Sequence, residues 1–150
     1  MELKRVVVTG LGAVTPLGLN VDETWEALLN GVSGAGPITH FDASQFKTQF
    51  ACEVKNFDPT LYLDKKEVRK FDRYAQFAVA AAKEAVGDSA LDLEKVDKNR
   101  VGVIFAAGIG GIRTFEEEVG GYFTNIERGP KFNPFFIPKM IADIAAGHIS

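Results

Sequence analysis

The sequence predicts an α/β domain in which a largely parallel or mixed sheet is flanked by helices. Valines run unbroken at 6–8 and apolar residues again at 101–105, and glycines follow each run. Unbroken apolar runs of this length are typical of strands buried on both faces. Between and beyond the two runs, apolar residues recur at helical spacing. Alternation of strands with helices favours a sheet covered by helices.

Composition narrows the function classes. The chain has 150 residues, 46% of them hydrophobic and 25% charged, with a formal net charge of −3. We expect one domain over residues 1–150 with no internal boundary. The net charge offers no basic field for nucleic acid, no apolar run is long enough to span a membrane, and the start lacks a secretory signal. The single cysteine suits a reducing cytoplasm.

The first elements follow from local signals. Lys4 to Thr9 is predicted as a buried strand, and the glycines after it as a tight turn with positive φ angles. Asn20, with Glu23 three residues later, predicts a helix start. Gly31 is expected to end this helix. The residues predicted to share one face of this helix are Trp25, Leu28 and Leu29.

The longest helix is predicted from a cap at Asp64 to a stop at Gly87. Its small inward face indicates close approach to something flat, most simply a sheet. That face comprises Phe71, Ala75, Ala78, Ala82 and Ala85.

The remaining elements are a polar connection from Leu91 to Arg100, a buried strand at Val101–Phe105 and a helix from Ile112 to Phe123. In that helix, Phe115 and Val119 are expected to face inward. Pro138 fits the first position of a last helix. The predicted buried stripe of this helix is Met140, Ile141, Ile144 and Ala145.

Two apolar segments are candidate binding elements. Ile109 is a single branched residue among Gly108, Gly110 and Gly111, so it is either part of a simple turn or the gate of a narrow channel. Between two prolines, Phe135, Phe136 and Ile137 form either a core plug or the wall of an apolar tunnel or subunit contact. The residues alone leave both questions open.

A basic run opens the predicted long helix, where the helix macrodipole favours anions. Lys66, Arg69 and Lys70 fall on one side of that helix. They form either a solvated face or a docking surface for an acidic protein.

Other chemistries have weak support. A dinucleotide fingerprint would need a third glycine where Thr15 stands. The carboxylate of Glu53 disfavours a thiolate at Cys52. Neither His40 nor His148 has metal-ligand spacing, and His148 is expected to be a hydrogen-bonded structural residue.

Several segments, in this order, resemble the elongating β-ketoacyl-acyl-carrier-protein synthases, type II in particular. They are VVVTGLGAVTPLG, HFDAS, KKEVRKFDRYAQ, AGIGG, NPFFIPKMI and AAGH. The resemblance implies a thiolase-like fold, of which this chain is an incomplete N-terminal half, and a homodimer. It implies decarboxylative condensation of malonyl-carrier protein with an acyl-enzyme thioester in fatty acid biosynthesis, without a metal or cofactor. The implied partner is acyl carrier protein.

The resemblance assigns roles residue by residue. The family's nucleophilic cysteine and both catalytic histidines match no residue of this sequence, so no catalytic residue is assigned and residues 1–150 alone are expected to be inactive. Ile109 matches the gate of the acyl pocket, and Phe135, Phe136 and Ile137 match its wall and the dimer contact. Lys66, Arg69 and Lys70 match the carrier-protein docking residues. The alternatives are a non-catalytic chain-length-type partner subunit of a polyketide synthase, a dinucleotide-binding oxidoreductase and a carrier-binding module without chemistry.

Overall fold

The computed structural model describes residues 4–150, which divide into two compact units. One unit comprises the residues up to 58 together with 81–91, and the other comprises 59–80 together with 92–150. The helices are α1 (Val21–Leu29), α2 (Lys65–Val68), α3 (Arg73–Asp88), α4 (Ile112–Thr124), α5 (Phe136–Met140) and α6 (Ile144–Ile149). Single 3-10 turns lie at Pro59–Leu61, Lys98–Arg100 and Ile126–Arg128. No helix within residues 4–150 is long and apolar enough to cross a bilayer.

The only sheet within the described residues is small. Strands β1 (Gly36–Pro37) and β2 (Phe50–Ala51) pair antiparallel, with Gly36 opposite Ala51. The two predicted buried strands were wrong as local structure, because neither residues 4–9 nor 101–105 form a strand. Their side chains are exposed, to 90% at Val6 and 101% at Ile104. A strand is stable only when a neighbour pairs its backbone groups, and neither segment has one within residues 4–150.

The glycine turn after the first valine run packs on the C-terminal half of α3. A Cβ at Gly12 would overlap the Ala81 carbonyl and lie 2.7 Å from the Ala85 amide nitrogen. Neither Gly10 nor Gly12 has a positive φ, so the expected reason for these glycines was wrong. Glycine is needed because backbone meets backbone here. The alanine-rich face of α3 therefore packs against this glycine turn. The sequence had predicted that it packs against a sheet.

Two carboxylates of α3 fix this turn. Asp88 Oδ2 accepts a hydrogen bond from the Leu11 amide at 2.8 Å. Glu84 accepts two, from the Ala13 amide at 2.9 Å and from the Val21 amide at 2.8 Å. Val21 is the first residue of α1, so Glu84 joins the turn to the start of that helix.

Helix α1 begins and ends as predicted. Asn20 Oδ1 accepts from the Glu23 amide at 2.8 Å, and Gly31 adopts a φ of +65° just after the helix. No residue of α1 is buried, and Trp25 on the predicted face is 61% exposed. Leu28 and Leu29 are exposed as well.

The predicted long helix is two helices. Helix α2 ends at Val68, α3 begins at Arg73, and Asp64 makes no side-chain cap. The side-chain amide of Gln76 donates to the backbone carbonyls of Val68 and Phe71, at 3.1 and 3.2 Å. These bonds satisfy carbonyl groups that lose their helical partners where the chain breaks between α2 and α3. Gly87 lies within α3, which ends at Asp88.

The main apolar core lies in the second unit, around the first half of α3. Its buried members are Leu63, Phe71, Ala75, Ala78, Val79 and Ala145. The predicted last helix is also split, into α5 and α6, and Pro138 is the third residue of α5. Of its predicted stripe only Ala145 is fully buried, at 0% exposure.

Candidate functional site

The turn that carries Ile109 lies against the chain segment after Pro138. The Gly111 amide donates to the Met140 carbonyl at 3.1 Å. Gly110 adopts a φ of +83°, and a Cβ on it would lie 2.9 Å from Ala142 Cα. A Cβ on Gly111 would overlap the Lys139 carbonyl. Glycines are therefore required at both positions, by conformation at Gly110 and by close approach at both.

An apolar hollow of about 380 Å³ lies beside this turn. Its lining residues are Ile109, Ile112, Phe115, Met140, Ile141 and Ala142. Ile112 and Phe115 are one turn apart on α4, so they face the hollow together. Ile109 is 68% exposed and lies at its edge. The lining carries no charged side chain, which suits an aliphatic ligand.

Of the four predicted pocket residues, only Ile109 lines this hollow. Phe136 lies behind it, where its ring packs against Phe115 with 6.2 Å between ring centroids. The same ring stacks on Phe132 at 5.6 Å. Phe135 lies 5.9 Å below the Lys70 ammonium, and Ile137 is exposed. The pocket roles of Phe135, Phe136 and Ile137 stay predictions.

Sequence reasoning assigned no pocket role to five lining residues, namely Ile112, Phe115, Met140, Ile141 and Ala142. Phe115, Met140 and Ile141 had been placed in an ordinary core by their helical spacing. The signal that could have found them is proximity in sequence to the two glycine- and proline-bounded motifs.

The predicted docking residues are exposed. Lys66 lies in α2, Arg69 follows its last residue, and Lys70 lies in the turn before α3. Because α2 ends at Val68, Arg69 and Lys70 lie at or beyond its C-terminal end, where the macrodipole favours cations. The predicted conflict with the dipole therefore does not apply to these two residues, while Lys66 is the second residue of α2. None of the three forms an ion pair with a carboxylate within residues 4–150.

A family model described as "Beta-ketoacyl synthase, N-terminal domain" matches residues 3–150. The chain belongs to the β-ketoacyl synthase family.

Relatives agree with this assignment. The chain is 49% identical over its whole length to the 3-oxoacyl-[acyl-carrier-protein] synthase 2 of Coxiella burnetii, and covers 36% of that protein. It is 43% identical over 98% of its length to the enzyme of the same name from Synechocystis, of which it covers 35%. The β-ketoacyl synthase chain thus spans about a third of the length of these relatives.

The backbone has the fold of this domain. A solved structure described as "The ishigamide ketosynthase/chain length factor" matches 95% of the chain with a TM-score of 0.78 and 28% identity, over 35% of that protein. The thiolase-like N-terminal domain predicted from the sequence is therefore present, although its large sheet is not formed by residues 4–150 alone.

The single cysteine and both histidines of this synthase domain lie within the described residues. Cys52 is an exposed free thiol beside β2. His40 lies 3.9 Å from Glu53, while His148 stacks on Phe71 with 3.8 Å between ring centroids. Within residues 4–150, no three His, Cys, Asp or Glu side chains come together as a metal site.

One carboxylate near Cys52 has a shifted pKa. The Thr39 hydroxyl donates to Glu53 at 2.6 Å and the Thr39 amide at 2.9 Å. These two bonds lower the pKa of Glu53 from its ordinary value of 4.5. Glu53 therefore stays ionised at neutral pH.

Proposed function

We propose that the complete protein carrying this sequence is a 3-oxoacyl-acyl-carrier-protein synthase of fatty acid biosynthesis, and that residues 1–150 supply its acyl-pocket wall and docking surface. Family membership and the names of the relatives support the reaction. The observation that carries the role of this segment is the apolar hollow between the Ile109 turn and residues 140–142.

The proposed reaction has two half-reactions. In the first, a cysteine thiolate outside residues 1–150 attacks an acyl thioester, and the carrier protein leaves as its thiolate, which then takes a proton from water. In the second, malonyl-carrier protein loses carbon dioxide, and the electron pair of the broken bond forms a carbanion. The carbanion attacks the acyl-enzyme thioester and expels the thiolate, which leaves a β-ketoacyl chain longer by two carbons.

The segment's part in this reaction is to bind the acyl chain. Burial of methylene groups against Ile109, Phe115 and Met140 gives about 0.8 kcal/mol per group, so the depth of the hollow favours certain chain lengths. Phe135, Phe136 and Ile137 are proposed as the outer wall and as a contact with the second subunit of a homodimer. The row of rings from Phe115 through Phe136 to Phe132 supports a rigid wall.

Docking is proposed to use Lys66, Arg69 and Lys70. Their exposure and lack of described ion pairs leave their charge available to an acidic carrier protein. The single cysteine suits action in a reducing cytoplasm.

The pocket is tested by Ile109→Phe in the complete protein. The larger ring fills the edge of the hollow, so kcat/KM for a hexadecanoyl chain on acyl carrier protein should fall at least about tenfold relative to a hexanoyl chain. Val119→Phe, on the same helix as two lining residues but absent from the lining, is the control. An equal loss at both chain lengths in the Ile109 variant would contradict the acyl-pocket role.

A second candidate is a chain-length-type partner subunit, because the solved structure with the TM-score of 0.78 is described as a ketosynthase/chain length factor. Mass measurement of the complete protein after incubation with acyl carrier protein separates the two. An acyl adduct on a cysteine other than Cys52 supports the synthase, and its absence supports the partner subunit.

A further inference from the structure

Asp72 lies in the break between α2 and α3 and bonds to both α3 and α4. Its Oδ1 accepts from the Tyr74 amide at 3.2 Å, which caps the start of α3. Its Oδ2 accepts from the Thr114 hydroxyl in the first turn of α4. Thr114 is only 8% exposed, so this is a charge-assisted hydrogen bond to a buried hydroxyl.

The same carboxylate oxygen closes on the turn that carries Ile109. A Cβ on Gly111 would lie 3.0 Å from Asp72 Oδ2. Gly111 is held from the other side by its bond to the Met140 carbonyl. The turn thus lies between Asp72, which approaches it closely, and the segment that forms the opposite wall of the hollow.

A neighbouring side chain reaches that opposite wall directly. The Tyr74 hydroxyl donates to the Ile141 carbonyl. Burial raises the pKa of Tyr74, and the charges of Asp72 and Asp143 raise it further, so the hydroxyl keeps its proton at neutral pH. Residues 72–74 therefore contact both walls of the hollow, α4 and the segment at 140–142.

We propose that Asp72 is a positioning residue that sets the depth of the acyl hollow by holding the Ile109 turn and α4 against residues 140–142. The inference depends on the proposed function of that hollow. Asp72 itself does not line it. Loss of the bond to Thr114 should let the first turn of α4, with Ile112 and Phe115, move relative to Met140, and so change which chain lengths fit.

The test uses Thr114→Val in the complete protein, because valine keeps the shape of threonine and removes the hydroxyl. We expect the ratio of kcat/KM for hexadecanoyl- and hexanoyl-carrier protein to change at least about fivefold, while kcat for the hexanoyl chain stays within about twofold. Thr114→Ser restores the hydroxyl and should restore the ratio. Thr124→Val is the matched control, since it removes a hydroxyl at the far end of α4 that bonds only to the Gly120 carbonyl.

Asp72→Asn gives an independent check. A single amide oxygen replaces two carboxylate oxygens, so it cannot accept from both Thr114 and Tyr74 as Asp72 does. Its ratio should change in the same direction as that of Thr114→Val, and the double variant should add little to either single change. If Asp72→Asn fails to fold, the Thr114 series still decides.

The outcomes separate this inference from the proposed function. A uniform loss at both chain lengths, or an unchanged ratio in Thr114→Val while Ile109→Phe changes it, overturns the positioning role of Asp72 alone. An unchanged ratio in the Ile109 variant as well overturns the acyl role of the hollow. A changed ratio in both, absent from Thr124→Val, supports both.

Discussion

At the scale of single residues, the glycines of this domain have two different physical reasons. Gly110 has a backbone conformation that side chains rarely adopt. Gly12 has an ordinary φ, but lies against the backbone of α3 at Ala81 and Ala85. The sequence showed only that glycines follow an apolar run. For Gly12 the reason is its contact with α3, about 70 positions later in the sequence. No local sequence pattern contains that information.

Gly12→Ala should destabilise the protein. The new methyl group would overlap backbone atoms of α3 that cannot move without disturbing the helix, at a cost of about 1–3 kcal/mol. Chemical denaturation of the complete protein measures the change in free energy of unfolding. Gly120→Ala in α4 is the control, because open space surrounds Gly120 and alanine should stabilise the helix by about 0.5–1 kcal/mol. Equal effects of the two substitutions would refute the close-approach explanation.

At the scale of elements, the helix ends that depend on residues close in sequence were predicted correctly. The helix ends that depend on residues distant in sequence were not. Helix α1 begins at Asn20 because the cap needs only residues three positions apart. The break between α2 and α3 depends on Gln76 bonding back to Val68 and on Asp72 bonding to Thr114. The residues that line the hollow show the same difference between local and distant signals. Ile109 could be predicted because it is an isolated apolar residue in a glycine turn. Met140 and Ala142 could not, because they line the hollow only through contacts made in the fold.

The hydrogen bonds between Thr39 and Glu53, which lie just after β1 and β2, should stabilise the protein less in acid. The Thr39 bonds lower the pKa of Glu53 below 4.5, so their contribution is present above that pH and is lost as the pH falls through the lowered value. Thr39→Val should therefore destabilise the complete protein at neutral pH and much less in strong acid. Denaturant unfolding at both pH values measures this. Thr48→Val, the same substitution at another exposed threonine, serves as the control, and an equal cost of Thr39→Val at both pH values would contradict the assignment.

At the scale of the whole molecule, this sequence encodes surfaces that residues 4–150 do not cover. Val6, Val8 and Ile104 are nearly fully exposed although they belong to the most apolar runs of the chain. The relatives are about three times as long as this chain. Neither apolar run pairs with a strand within residues 4–150, so the predicted sheet is not formed by the described residues. An apolar run marks a candidate strand, but strand pairing depends on residues distant in sequence, which no local pattern contains.

The distribution of charge gives a prediction about partner binding. The chain is acidic overall at −3, yet Lys66 and Arg69 are exposed and close in sequence. Replacing both with glutamate should weaken binding of acyl carrier protein by about tenfold or more at low salt, and by less at high salt because exposed charges are screened. Titration of the complete protein with the carrier protein measures the affinity.

A matched variant separates local docking from net charge. Lys47→Glu with Lys55→Glu makes the same change in net charge at two other exposed lysines. It should leave the affinity within about twofold if the carrier protein docks at Lys66 and Arg69 and does not respond to net charge alone. If both double variants weaken binding equally, the docking surface is not at Lys66 and Arg69.

Glu84 has a consequence for engineering this protein. Its two carboxylate oxygens hold the amides of Ala13 and Val21, and Asp88 one turn later holds that of Leu11. Both ends of the segment from Ala13 to Val21 are thus hydrogen-bonded to the same side chain. An insertion or deletion in this segment would leave a backbone amide or a carboxylate oxygen without its partner. Epitope tags, permuted termini and loop grafts belong elsewhere, for example at the exposed residues 126–128.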